Sequence, residues 1–135
     1  MDLLAYREHS RRELQQKLSQ RFSDAGLISQ ALDRLGDERL QSDERYAESY
    51  LYSRAQRLYG PQRIKLELRE RGVDAATVAA VFERAGIDWR ANLEKLMFDK
   101  FGSRPPQDMK EKAKRARFLQ QRGFGGLVTP NSLDY

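Results

Sequence analysis

The chain has 135 residues, with 25 Lys and Arg against 20 Asp and Glu for a net charge of +5, 39% hydrophobic residues and no cysteine. That length suits one domain or a short array of repeats, and recurring Leu, Ile, Val, Phe and Tyr within a chain that is 33% charged separate it from disordered sequences. Disulfides, thiolate nucleophiles and Cys-based metal sites are excluded; with no apolar run near the roughly 18–20 residues of a membrane span, and Asp2 directly after Met1, a cytoplasmic chain free of membrane is expected.

Apolar residues recur at i, i+4 in every segment and sustained alternation is absent, so the expected class is all-α. Ser10-Arg11-Arg12-Glu13 has the spacing of a capping box and opens a helix with Leu14 and Leu18 inward, ending near Gln20. A second helix starts at Ser23 or Asp24, carries Leu27, Ile28, Ala31, Leu32 and Leu35 on one side, and takes Gly36 as a left-handed stop. The third opens at Ser42, places Asp43 and Glu44 at its positive end, and stacks Tyr46, Ala47, Tyr50, Leu51, Ala55 and Leu58. Gly60-Pro61 divides it from a fourth, in which Ile64 and Leu68 face inward and Gly72 is the stop. Asp74 caps a fifth bearing Val78, Val81, Phe82 and Ala85, closed by Gly86. Asp88 caps a sixth striped by Trp89, Leu93, Leu96, Met97 and Phe101, which breaks at residues 102–106. A basic helix over Gln107–Arg122 follows, with Ala113, Ala116, Phe118 and Leu119 inward and Gly123 as its stop, and Thr129-Pro130 reads as the start of one more.

An internal repeat of about 50 residues runs through this pattern: Leu14 and Leu18 match Ile64 and Leu68, and Arg71-Gly72-Val73 matches Arg122-Gly123-Phe124. A lone helical hairpin cannot bury its own apolar face, whereas stacked neighbours can. The expected architecture is an elongated tandem array of three three-helix repeats, at 1–40, 41–86 and 87–135, the last cut short after Gly123.

Charge is zoned. Residues Arg7 to Arg21 sum to +3, Gln56 to Gly72 to +3 and Lys110 to Arg122 to +5, whereas Ser23 to Ser53 sums to −4. Positive zones favour polyanions through long-range attraction and counterion release. The candidate contacts are Arg7, Arg11, Arg12 and Lys17 in the first repeat; Arg54, Arg57, Arg63, Lys65, Arg69 and Arg71 in the second; and Lys112, Lys114, Arg115 and Arg117 in the third. Arginine outnumbers lysine in the first two groups, and its planar fork matches phosphate better than a point charge does. For any one of them the competing reading is a solvated helix face. Tyr52 and Tyr59, close to Arg54 and Arg57, offer rings either for stacking or for packing.

Catalytic groups are scarce. His9 is the only histidine and reads as a hydrogen bonder at a helix junction, and no GxxxxGK[ST] or GxGxxG loop is present, so no enzyme activity, cofactor or metal is expected. Asp37, Glu38, Asp43, Glu44 and Glu48 have the chemistry to hold Mg²⁺, but read better as helix-terminus charges and surface pairs. Asp43, Glu44 and Glu48 are the acids expected to meet a basic patch on a protein partner.

Specific strings then resemble a known family. Tyr6-Arg7-Glu8-His9-Ser10-Arg11-Arg12-Glu13-Leu14, with Lys17-Leu18, is similar to the REHSRxEL opening of the RecX family of bacterial regulatory proteins. Asp43-Glu44-Arg45-Tyr46-Ala47-Glu48-Ser49-Tyr50 resembles that family's DxRFAexY segment, with Tyr46 where phenylalanine is usual; Gly60-Pro61-Gln62-Arg63-Ile64, Glu67-Leu68 and Arg71-Gly72-Val73 continue the match. The resemblance implies tandem three-helix repeats and a modulator of the RecA recombinase. Such a protein binds the RecA–DNA filament and suppresses strand exchange, ATP hydrolysis and the coprotease function. It further implies weak, unspecific binding to single- and double-stranded DNA by a monomer. An extended helical array with basic zones can follow a helical groove, and the expected contact is a concave basic surface containing Arg11, Arg12, Arg63, Arg69, Lys114 and Arg117. The main rival is an independent helical DNA-binding protein that reads base edges with one recognition helix; a Mg²⁺-dependent nuclease and a scaffold that ignores DNA are the others.

Overall fold

The computed structural model describes residues 8–38 and 41–127, which form seven helices and no strand. These are α1 (Arg11–Ser19), α2 (Ala25–Asp37), α3 (Asp43–Gln56), α4 (Pro61–Glu70), α5 (Ala75–Ala85), α6 (Trp89–Phe101) and α7 (Met109–Gln121). Arg7 and the helix expected from Thr129-Pro130 lie outside the described residues. The chain divides into two compact units, residues 1–51 with 67–86 and residues 52–66 with 87–135, so α3 and α4 each contribute to both.

Helix starts are set by side chains that satisfy the free amides of a first turn. The Ser10 hydroxyl accepts from the Glu13 amide at 3.1 Å while the Ser10 amide donates to Glu13 Oε1 at 3.1 Å, completing the capping box. Asp24, Asp74, Asp88 and Asp108 cap α2, α5, α6 and α7 in the same manner, each accepting from an amide inside the first turn. One expected stop is absent. Gly36 lies inside α2, which runs on to Asp37, and its φ is not positive; the amide of Glu38 closes the helix on the carbonyls of Arg34 and Gly36.

In the first unit, α1 and α2 form a hairpin around Leu14, Ile28 and Leu32, with Leu18 and Leu35 packed against them. Tyr46, Ala47 and Leu51 of α3, Leu68 of α4, and Val73, Val78 and Val81 are buried in the same unit. Leu27 and Ala31 depart from expectation: both are exposed, Leu27 by 62%. The buried stripe of α2 is Ile28, Leu32 and Leu35, at i, i+4 and i+7, and the neighbouring i, i+4 row of Leu27 and Ala31 faces away from it.

The core of the second unit is Leu93, Leu96, Met97, Leu119 and Phe124, with Leu58, Trp89, Phe101, Ala116, Phe118 and Leu127 packed against it. Phe101 and Phe118 meet edge to face at 5.6 Å. Ala113 is exposed, and the inward place one turn before Leu119 is taken by Arg115.

The repeat seen in sequence has a structural counterpart. The start of α1 meets the turn after α4: the Ser10 hydroxyl donates to the Arg71 carbonyl at 2.9 Å. The start of α4 meets the turn after α7: the Gly60 amide donates to the Arg122 carbonyl at 2.6 Å, and the Gln62 amide to the Gly123 carbonyl at 3.1 Å. Ser10 and Pro61 are 51 residues apart, as are Arg71 and Arg122, so one joint occurs twice. In both, the closing residue is a glycine at positive φ, 89° at Gly72 and 100° at Gly123.

Candidate nucleic-acid interface

The cations are best followed unit by unit. In the first unit, Arg12 is exposed with its stem laid over Gly72. Arg11 reaches Asp33 at 2.7 Å, a pair in which both side chains keep much of their solvent exposure. Lys17 is half-buried, with Nζ at 3.0 Å from His9 Nε2. His9 itself is buried, and its carbonyl accepts from Gln41 Nε2 at 3.4 Å, so the lone histidine is indeed a junction residue. Arg69 is exposed and donates to the Val73 carbonyl at 3.4 Å; Arg71 places its guanidinium 4.8 Å from the centre of the Tyr50 ring.

The acids expected at a protein partner are engaged within the chain. Asp43 Oδ1 accepts from the Arg11 amide at 2.8 Å and from Gln41 Nε2 at 2.9 Å, tying the start of α1 to the start of α3. Glu44 and Glu48, one turn apart on α3, both pair with Arg84 of α5, Glu48 at 3.7 Å. Such exposed pairs contribute little to stability and exchange readily, so the two glutamates still present negative charge to solvent.

In the second unit the cations converge. The guanidiniums of Arg54, Arg122 and Arg63 lie 3.8, 3.9 and 4.6 Å from the centre of the Tyr59 ring. Arg63 also donates to the Gln121 carbonyl at 3.1 Å, and Arg122 to the carbonyls of Leu58, at 3.3 Å, and Arg57. Arg57, Lys65, Lys114 and Arg117 are exposed, and Lys112 is half-buried. Arg115 departs from the reading as a surface contact. It is 6% exposed, donates to the Arg104 carbonyl at 2.9 Å and to Glu111 at 2.8 Å, and lies 4.8 Å from the centre of Phe101, so it serves the interior of this unit. Glu111 in turn accepts from the Gln107 amide; that bond first, and Arg115 second, hold its carboxyl below the usual glutamate range.

Arg122 was missed as a candidate, although its signal was present: Arg71 was singled out, and the match of Arg71-Gly72-Val73 to Arg122-Gly123-Phe124 puts Arg122 in the equivalent place. Tyr59 has a different role from a bare stacking surface, since its ring is a platform for arginines. Tyr52 remains 43% exposed.

Fold and site together define an all-α repeat protein that gathers cations where one repeated joint closes. Sequence models for RecX match in order along the chain, the first three-helix domain over residues 1–35, the second over 42–81 and the third over 88–126. The chain belongs to the RecX family, and its architecture is that family's tandem array of three-helix domains. Regulatory protein RecX of Pseudomonas fluorescens (strain SBW25) is 48% identical over 124 residues, spanning 92% of this chain and 80% of the relative. The protein of that name from Pseudomonas savastanoi pv. phaseolicola is 47% identical over the same shares. A crystal structure of regulatory protein RecX superposes with a TM-score of 0.77 at 21% identity; it covers 92% of this chain, which spans 63% of that one. RecX from Lactobacillus salivarius gives 0.74 at 22%, over 96% and 84%. These structures bear on the fold, and the close relatives on the regulatory role.

Proposed function

We propose that this chain binds the RecA filament on DNA and inhibits its recombinase, ATPase and coprotease activities, thereby restraining recombinational repair and the SOS response. The observation that carries the reading is the ordered match to all three RecX domains, together with near-half identity to proteins named as RecX regulators. The charge distribution supports it. Arg12 and Arg69 in the first unit, and Arg57, Lys65, Lys114 and Arg117 in the second, are exposed cations suited to phosphate, while Glu44 and Glu48 offer negative charge to the recombinase. Repeats bounded at 1–40, 41–86 and 87–135 would each add a few such contacts. The chain acts in the cytoplasm as a monomer that binds bare DNA weakly and without sequence preference, and it performs no chemistry of its own.

The test compares fluorescently labelled chain on bare single-stranded DNA with the same DNA coated by recombinase and a slowly hydrolysed ATP analogue. Tighter binding to the coated strand is expected. An independent DNA-binding protein would instead prefer a bare duplex of defined sequence, and equal or weaker binding to the coated strand would sink the reading.

A further inference from the structure

We infer that the Tyr59 cluster is a phosphodiester clamp: Arg54, Arg63 and Arg122, whose guanidiniums lie on the ring, together with the exposed Arg57, whose carbonyl holds Arg122, grip two neighbouring phosphates of a nucleic-acid strand, the ring serving as a platform and not as a stacking surface for bases. The inference deepens the DNA-binding half of the function proposed above and rests on it.

Three observations converge. The first is geometry. Three guanidiniums lie within 4.6 Å of the centre of one ring, and the carbonyls of Leu58, Arg57 and Gln121 help to orient two of them. A base has no open place on a ring surrounded in that way. The second is composition. Tyr52 to Glu67 contains four cations and one acid, and Glu111 to Leu127 five cations and one acid, so the two segments that meet here are strongly positive. Planar forks that are already oriented lose little freedom on gripping phosphate oxygens. The third is the turn that carries the ring. Leu58 has φ +62°, the only non-glycine at positive φ among the described residues. It is the left-handed stop of α3, the Tyr59 amide donating to the Arg54 carbonyl at 3.2 Å and the Leu58 amide to the Ala55 carbonyl at 3.0 Å. Here it sets the Leu58 carbonyl toward Arg122 while the Leu58 side chain packs on the core.

The test measures binding of a fluorescein-labelled 20-residue oligothymidylate, and of an abasic strand of the same length, across a salt series with no recombinase present. R54Q/R57Q should lose about tenfold or more in affinity for both strands. The slope of log affinity against log salt should fall by about 1.4, the value for two single-strand phosphates. R122Q should behave likewise, with circular dichroism confirming its fold, and Y59F, which keeps the ring, should bind as the wild type does. The charge-matched control R21Q/R34Q should lose less than about threefold. A loss by R54Q/R57Q no greater than the control's would overturn the clamp, as would a loss confined to the strand that carries bases. The recombinase assay separates the two readings: wild-type inhibition with DNA binding unaffected by R54Q/R57Q removes the clamp alone, whereas clamp-dependent DNA binding without inhibition removes the regulatory reading alone.

Discussion

The aliphatic stem of Arg12 occupies the space in which a side chain on Gly72 would stand: a Cβ there would fall 2.6 Å from both Cβ and Cδ of Arg12. Fifty-one residues on, Arg63 stands over Gly123 in the same relation, 2.5 Å from the equivalent Cβ. Each joint thus couples a glycine stop to an arginine in the first turn of the equivalent helix one period earlier. Closing the joint and positioning the cation are one event.

Gly72→Ala and Gly123→Ala should therefore destabilise, by about 1–3 kcal/mol each, because both glycines have positive φ and no room. Gly36→Ala makes the opposite case. That glycine is inside α2 with nothing within 4 Å of the new methyl, and the change should stabilise by about 0.5–1 kcal/mol. Urea unfolding of the three variants checks both signs.

Leu68 is fully buried, and Leu68→Ala should cost about 2–5 kcal/mol. DNA affinity measured where the variant remains folded should be nearly unchanged, which separates loss of stability from loss of contact.

Arg115 and its neighbours should behave differently although all are cations on α7. Arg115→Ala removes the bond to the Arg104 carbonyl and the packing on Phe101, and should cost about 1–3 kcal/mol. Lys114→Ala and Arg117→Ala should stay within about 0.5 kcal/mol in stability and weaken DNA binding instead. Denaturant midpoints and a salt titration read the two effects.

Acid should weaken the fold at two named carboxylates. The amide of Thr77 first, then its hydroxyl, with Arg69 adding, hold Asp74 below its ordinary 3.8; the Gln107 amide and then Arg115 hold Glu111 below its ordinary 4.5. Groups lowered in the folded state stabilise it fully above those ordinary values, and the contribution disappears as pH falls through the lower folded values. Melting curves from pH 6 to pH 2.5 should show a decline that starts near pH 4.5 and is shallower in D74N and E111Q.

Local order was legible where short-range chemistry decides it. The capping box at Ser10, the aspartate caps at positions 24, 74 and 88, and the stops at Gly72 and Gly123 each depend on residues within one turn. What escaped depends on neighbours distant in sequence. Leu27 and Ala31 suit a buried face by composition, but the hairpin with α1 uses only the adjacent row. Arg115 looks like its exposed neighbours until the Arg104 carbonyl and Phe101 are placed around it. The Tyr59 cluster draws on residues 54, 63 and 122, and only the 51-residue period links the last of these to the others.

The most direct measurement adds this chain, below one copy per recombinase protomer, to RecA hydrolysing ATP on single-stranded DNA. The account predicts that hydrolysis falls progressively and that R54Q/R57Q relieves the effect in part. Undiminished hydrolysis at saturating protein, with the chain folded and the recombinase active, would contradict it.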